Sequence, residues 1–440
     1  MTPEIVTLGA VLLFMAMILM EVPVAFAMIA AGALGIAVLA GPHVAFSTLA
    51  ATPYTAVAKY DLLILPMFIL LGAIVSNAGI ASRIFASANR IVGWMPGGLG
   101  ITTVLACTIF GGISGSSVAE AATLGRVSIN EMRAHGYRAR FAAGLVAASA
   151  MIAILIPPSI PLVIYGILTG LPIGSLLLAG IIPGLMTAFT FAAYVSIYSW
   201  IRKPVPVAAA DTSPAAGRKS SYSGLVYAGI LFVVVVGGIY AGILTSTEAA
   251  AAGAFAALII AIVVSRTERK PLLPILGRSV HEAAITSAMI FALLIGSMVF
   301  TYLLAYAQVP ATLAQWATSQ DLSPQMVVLC FLIILVPLGM FLDGLSMLLL
   351  TVPVAYPIVA AMGVDGIWFG VLAVTMIELG LITPPVGLNV YVVAGVVNDL
   401  KVEEVFIGVT PFIVIQIAIT ALIFLFPDIA TILPELAYGS

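Results

Sequence analysis

The sequence predicts an all-α polytopic membrane protein made of two repeats of opposite topology, each with a re-entrant hairpin and a broken helix. Three observations predict it. First, 62% of the 440 residues are hydrophobic, only 8% are charged, and mean hydropathy is +1.23; such a surface cannot face water all round. Second, the apolar runs are long stretches of Leu, Ala, Ile and Val rather than short alternating segments, which excludes a transmembrane β-barrel. Third, two sets of helix breakers recur at one interval. Phe110-Gly-Gly-Ile-Ser-Gly-Ser-Ser117 leads to Ile156-Pro-Pro-Ser159, and Leu338-Gly-Met-Phe-Leu-Asp-Gly-Leu-Ser346 leads to Thr383-Pro-Pro-Val386; Gly112 to Pro157 and Gly339 to Pro384 both span 45 positions.

In chain order, residues 1–200 form the first repeat. Apolar spans near 5–20, 22–40 and 61–79 supply scaffold helices within 1–80. The amino terminus has no basic stretch and no small-residue cleavage site, so its apolar run is expected to stay as the first span. An amphipathic arm covers 81–95. Two short limbs, 98–112 and 117–130, make a hairpin across 98–130: each limb is about 20 Å long at 1.5 Å per residue, short of the roughly 30 Å hydrocarbon core. A helix at 138–170 breaks at Pro157-Pro158, because consecutive prolines remove two donors and push the preceding residue out of helical geometry. A span at 174–200 closes the repeat.

Residues 201–222, with Pro204, Pro206, Pro214 and Gly217, read as a cytoplasmic linker. The second repeat, 223–440, restores the order: scaffold helices within 223–306 (spans near 223–243, 246–265 and 282–306, with a polar connector at 266–280), an amphipathic piece at 311–319, a hairpin at 325–362, a helix at 366–398 broken at Pro384-Pro385, and a last helix at 406–433. With each hairpin counted as no crossing, each half crosses five times, an odd number, so the second half enters inverted. The charges support this, since all but Lys59 of the 16 Lys and Arg residues sort to one side. Positive charge marks the cytoplasmic side, which places both termini outside it.

Four breaks at membrane depth leave N–H and C=O groups unpaired unless they line a protein-enclosed site. Carboxyl-terminal carbonyls of the half-helices suit a dehydrated cation, and amino-terminal N–H groups suit a carboxylate. Hydroxyls of Ser114, Ser116, Ser117, Ser159 and Thr383 can complete either shell, and Na+ is the natural occupant of oxygen-only cages. Small residues at the tips also permit close helix packing, but two tips at one interval from a double proline favour a site. Carboxylates within spans are costly and therefore functional candidates: Asp343 at the second tip, then Glu120 and Glu378. Asp61, Glu248 and Glu282 lie nearer helix ends and read as interface markers. Cys107 and Cys330 lie in apolar runs and read as small hydrophobes.

At these residues the chain resembles a known family. Gly112-Ile-Ser-Gly-Ser-Ser-Val-Ala-Glu-Ala-Ala-Thr-Leu-Gly125, Glu131-Met132, Gly136-Tyr137, Ile154-Leu-Ile-Pro-Pro-Ser-Ile-Pro161, Leu65-Pro-Met-Phe68 and Ile382-Thr-Pro-Pro-Val-Gly-Leu-Asn389 are similar to the large membrane subunit of TRAP (tripartite ATP-independent periplasmic) transporters of the ion-transporter superfamily. Asn130 stands where that family usually has proline, in a turn away from the site. The resemblance implies an elevator-type secondary importer in a bacterial inner membrane. It would take up a carboxylated solute such as a C4-dicarboxylate or sialic acid, driven by Na+, with no cofactor. A periplasmic substrate-binding protein and a separate small four-helix membrane subunit are the implied partners. By motif position, Gly112, Ser114, Ser117, Ile156 and Pro157 would form one cation site. Gly339, Asp343, Gly344, Thr383 and Pro384 would form the other, with Ser116, Ser159, Thr383 and Asn389 on the substrate.

Two rival readings fit parts of the same pattern. A stand-alone Na+-coupled organic-anion carrier of the same superfamily would share every break but need no binding protein. Gly112-Ile-Ser114-Gly115 also fits the G-x-S-G of intramembrane serine proteases; that chemistry needs a histidine beside the serine, and His43, His135 and His281 all fall in connectors or at span ends.

Overall fold

The computed structural model describes residues 2–202, 222–397 and 400–439. Residues 203–221, most of the expected linker, and Asn398 and Asp399, at the end of the second broken helix, lie outside the described residues. Every regular element among the described residues is helical. Seven helical stretches among them are long and apolar enough to cross a membrane, and shorter apolar helices accompany them.

The first hairpin consists of Gly98–Ser114 and Ser117–Ala134. Its tip turns at Gly115, whose φ of +61° lies in the left-handed region that disfavours a Cβ, and whose N–H bonds Gly111 O at 2.8 Å. Ser116 then caps the second limb by accepting the Ala119 N–H. The first broken helix runs as Ala139–Ser149, a 3-10 turn at Ala150–Ile154, and Ile160–Thr169 after a cis Pro157-Pro158 bond. The same order returns in Pro324–Gly339, Gly344–Ala361, Gly366–Gly380 and Leu388–Val396, with cis Pro384-Pro385 in the second break.

Close backbone approaches join the halves. Tyr165, fully buried, donates its hydroxyl to Gly366 O at 2.7 Å, and its ring fills the space a Cβ on Gly370 would need. Helix Val402–Leu425 packs on Ala139–Ser149 at Gly144 and Gly408. Within the same core, Val24–Ala40 lies along Leu272–Tyr306, where Gly32 meets the Phe300 backbone. Large apolar residues such as Leu12, Phe46, Phe189 and Phe255 point outward, as the hydrocarbon of a bilayer requires.

Four sequence expectations change. Helix Pro42–Val57 was not foreseen, because His43, Ser47, Thr48, Thr52 and Thr55 weaken its apolar signal. The hydroxyls of Thr48 and Thr52 bond the carbonyls of Val44 at 2.8 Å and Thr48 at 2.7 Å, which lets a polar stretch remain helical. The connector expected at 266–280 shrinks to Arg269–Pro271, since Leu272–Tyr306 is one 35-residue helix. At 1.5 Å per residue it is about 52 Å long, so its polar first turns extend beyond a hydrocarbon core. The expected helix at 174–200 is divided into Ile173–Ala179 and Ile181–Arg202 at Gly180, which abuts Leu155 O. The one expected at 406–433 becomes Val402–Leu425 and Asp428–Tyr438, separated where Pro427 withdraws a backbone donor.

Candidate functional site

A cavity of about 560 Å³ lies where the two hairpin tips converge. Ser114 to Ser117 of the first tip and Asp343 and Gly344 of the second line it, so the structure brings together residues more than 220 positions apart in sequence. Pro161 and Ile160, from the start of the half-helix after the first break, and Leu381 and Leu388, flanking the second, also reach it.

Local chemistry fixes each tip. Asp343 is the N-cap of Gly344–Ala361: one carboxylate oxygen accepts the N–H groups of Leu345 and Ser346, each at 3.1 Å, and the other accepts the Ser346 hydroxyl. Ser117 Oγ donates to Glu378 Oε1 at 3.1 Å, a buried bond that ties the first tip to the second broken helix. Glu378 is 3% exposed, its Oε2 has no hydrogen-bond partner, and it lines the cavity. Ser114 Oγ, 6% exposed, likewise has no partner there. Each is an unsatisfied polar atom in the cavity wall, the kind of group that an ion or ligand satisfies.

The remaining expected residues stand behind this wall. Gly112 packs against the first break: a Cβ there would be 2.9 Å from the Ile156 side chain and 3.3 Å from Pro157 O. Gly339 meets Gly380 and Ile377 O of the second broken helix in the same way. Thr383, just before the cis Pro384-Pro385 bond, donates to Leu379 O at 2.6 Å. Ser159 caps Ile160–Thr169, accepting the Leu162 N–H and donating to Ile154 O, so its hydroxyl is engaged locally. Asn389 is fully buried beside Glu378, the neighbour nearest to pairing with its otherwise unsatisfied side-chain amide. Gly112, Ile156, Pro157, Ser159, Gly339, Thr383, Pro384 and Asn389 do not themselves line the cavity.

Sequence reasoning missed the opposite wall. Gly72, Ala73 and Ser76 of helix Ile64–Asn77, with Glu282 and Thr286 of Leu272–Tyr306, close the cavity. Glu282, read as an interface marker, accepts the Asn77 side-chain N–H at 2.9 Å and borders the cavity. Gly72 brings its backbone against the first tip, where a Cβ would lie 3.1 Å from Ser114 Cα, and Ser76 is 3.1 Å from Thr123 of the same hairpin. The only signal in the sequence was a glycine and small polar residues in an apolar run, which is also what ordinary packing requires. Glu120 is fully buried with both oxygens unpartnered and packs against Gly111 and Cys107, just behind the tip. Among the described residues no histidine lines the cavity, so the histidine that the serine-protease reading calls for does not stand beside Ser114.

Comparisons with known proteins agree with this architecture. The family model described as "Tripartite ATP-independent periplasmic transporter, DctM component" matches residues 11–429. The sialic acid TRAP transporter large permease SiaM of Vibrio cholerae is 37% identical over 385 residues, covering 87% of this chain and 88% of that protein. The C4-dicarboxylate TRAP transporter large permease DctM of Rhodobacter capsulatus is 32% identical over 409 residues, covering 90% and 91%. Among solved structures, the YdaH transporter of Alcanivorax borkumensis superposes with a TM-score of 0.63 at 13% identity, covering 89% of this chain and 90% of that one, a likeness of fold. The chain therefore belongs to the DctM family, the large permeases of tripartite ATP-independent periplasmic transporters, and is a transporter rather than an enzyme.

Proposed function

We propose that the chain performs Na+-coupled secondary uptake of a carboxylated solute by an elevator motion. The observation that carries this is the charge of the cavity: Asp343, Glu378 and Glu282 border it, and among the described residues no Arg, Lys or His does. A carboxylate entering such a space is repelled unless positive charge enters with it. Cations held at the two tips, near Ser114, Ser117 and Gly112 beside Ile156-Pro157, and near Asp343, Gly344 and Gly339 beside Thr383-Pro384, supply that charge. The solute's carboxylate then meets the N–H groups at the start of Ser117–Ala134 and the Ser116 hydroxyl, with Ser159, Thr383 and Asn389 supporting from behind. Sodium binding thus becomes a condition for solute binding, which is what coupling means.

In this reading residues 1–200 and 223–440 are inverted repeats joined by the 201–222 linker. The hairpins (98–130, 325–362) and broken helices (138–170, 366–398) travel together against scaffold helices within 1–80 and 223–306. The Gly72–Ser114 approach and the Ser76–Thr123 pair lie on the sliding surface. The protein sits in the bacterial inner membrane with both termini periplasmic. A periplasmic binding protein delivers the solute, and a separate small membrane subunit stiffens the scaffold; relatives named for sialic acid and for C4-dicarboxylates share the carboxylate as common chemistry. Each unit charge moved inward through about 100 mV adds roughly 2.3 kcal/mol of driving force.

Reconstitution tests the proposal. The chain and a small subunit in liposomes should take up a carboxylate under an inward Na+ gradient only when binding protein is outside. Uptake without the binding protein would establish the stand-alone carrier instead, and uptake indifferent to Na+ would remove the coupling.

A further inference from the structure

Two buried carboxyl groups from opposite halves of the chain interact behind the first hairpin tip. Glu120, in the first turn of Ser117–Ala134, is wholly buried, and Glu378 of Gly366–Gly380 is 3% exposed. Ser117, three residues before Glu120 and so on the same helix face, donates to Glu378 Oε1 at 3.1 Å. Around that bond, polar atoms stand without a hydrogen-bond partner: both oxygens of Glu120, Oε2 of Glu378, and the side-chain amide atoms of Asn389 beside it.

Among the described residues no cationic side chain faces this cluster. Of the elements packed on Ser117–Ala134, Gly98–Ser114 presents the Cys107 thiol, and Ala150–Ile154 and Leu388–Val396 carry no charged residue. Arg140 of Ala139–Ser149 is exposed, and on Ile80–Val92 Arg83 pairs with Glu268 while Arg90 lies over the Tyr222 ring. Of the elements packed on Gly366–Gly380, Gly344–Ala361 brings the Asp343 cap, whose oxygens are already bonded, and Tyr356, which packs on Tyr165. Tyr165 of Ile160–Thr169 is bonded to Gly366 O. Cys330 of Pro324–Gly339, and the acids of Val402–Leu425 and Asp428–Tyr438, are exposed.

A carboxylate taken out of water needs a counter-charge or several donors, and two placed together also repel. The helix N-terminus favours an anion at Glu120 but supplies no full counter-charge. With both groups ionised, only the Ser117 hydroxyl and the Asn389 amide N–H groups could serve them. One proton removes a charge and turns an acceptor oxygen into a donor. We propose that Glu120 and Glu378 form a proton-binding site that holds one proton between them, and that Glu378, whose Oε2 lines the cavity, exchanges it there. Where the solute is a carboxylate, as proposed above, the protonated pair meets it with one negative charge fewer.

The test is infrared spectroscopy of the full chain in lipid nanodiscs, titrated from acid to alkaline pH without solute, in choline and in Na+. A protonated-carboxyl C=O band should persist at neutral pH, vanish on alkalinisation, and be missing at neutral pH from the double variant Glu120→Gln with Glu378→Gln. Glutamine has nearly the shape of a protonated glutamate, so packing is kept. Each single variant should hold its remaining proton at least tenfold more weakly than wild type, because the like charge has gone. No neutral-pH band in wild type, or one equally strong in the double variant, would overturn the proton site. Unshifted titration in both single variants would overturn the pairing, and a band that Na+ removes at fixed pH would make the cluster a cation site instead. Each of these results would leave Na+-coupled uptake standing.

Discussion

Replacing Asp343 with Asn and with Ala separates two roles that its position combines. Its carboxylate caps Gly344–Ala361 through N–H groups at 3.1 Å and also borders the cavity. Asn caps a helix about as well as Asp, whereas loss of the cap to Ala costs about 0.5–2 kcal/mol. A unit charge about 4 Å from a monovalent cation contributes about 4 kcal/mol at an effective dielectric of 20. Asp343 is only half-buried, and solvent screening brings the expected contribution down to about 1.4–2.8 kcal/mol. At about 1.4 kcal/mol per decade, that is a Na+ affinity about 10- to 100-fold weaker. The assay is thermal unfolding of the purified chain in nanodiscs across a Na+ series, with choline as the baseline. Asp343→Asn should keep the choline melting temperature and shift the Na+ midpoint upward; Asp343→Ala should lower the first and shift the second. Wild-type Na+ dependence in Asp343→Asn would refute the assignment of the second tip to a cation.

Three further outcomes follow from particular contacts. Gly72→Ala should slow uptake several-fold and Gly72→Leu should abolish it at matched membrane levels, because a Cβ there presses on the Ser114 backbone at 3.1 Å; a wild-type rate in the Leu variant would remove the sliding surface. Ser117→Ala takes away the hydroxyl that Glu378 accepts at 3.1 Å and should cost about 1–3 kcal/mol of stability by leaving a buried acceptor without it. In a double-mutant cycle with Glu378→Met, which removes the acceptor, the losses should be less than additive, and strict additivity would mean the bond is unimportant. Tyr165→Phe loses the bond to Gly366 O at 2.7 Å, an expected loss of about 0.5–1.5 kcal/mol. Gly370→Ala, whose Cβ would run into the Tyr165 ring, should cost about 1–3 kcal/mol by overpacking, and thermal unfolding should rank the pair in that order.

What the sequence determined by itself is the local geometry: where helices break and where they restart. Gly115 with Ser116, Asp343 with Gly344, and the two double prolines are short-range devices whose dihedral and capping preferences act within a few residues, so they could be read without a fold. Length and apolarity likewise announced most of the helices, and they failed at Pro42–Val57, where Thr48 and Thr52 hide helical character by bonding their own turn. What only the tertiary structure decided is who meets whom. The pairing of Ser117 with Glu378 spans 261 positions, and the wall formed by Gly72, Ser76, Glu282 and Thr286 comes from helices whose sequences look like ordinary packing surfaces. It is also packing, not residue type, that turns Ser159 into a helix cap and leaves Ser114 facing the cavity. A hydroxyl has the same donor and acceptor wherever it stands, and its role is set by which of them the surrounding chain has already taken.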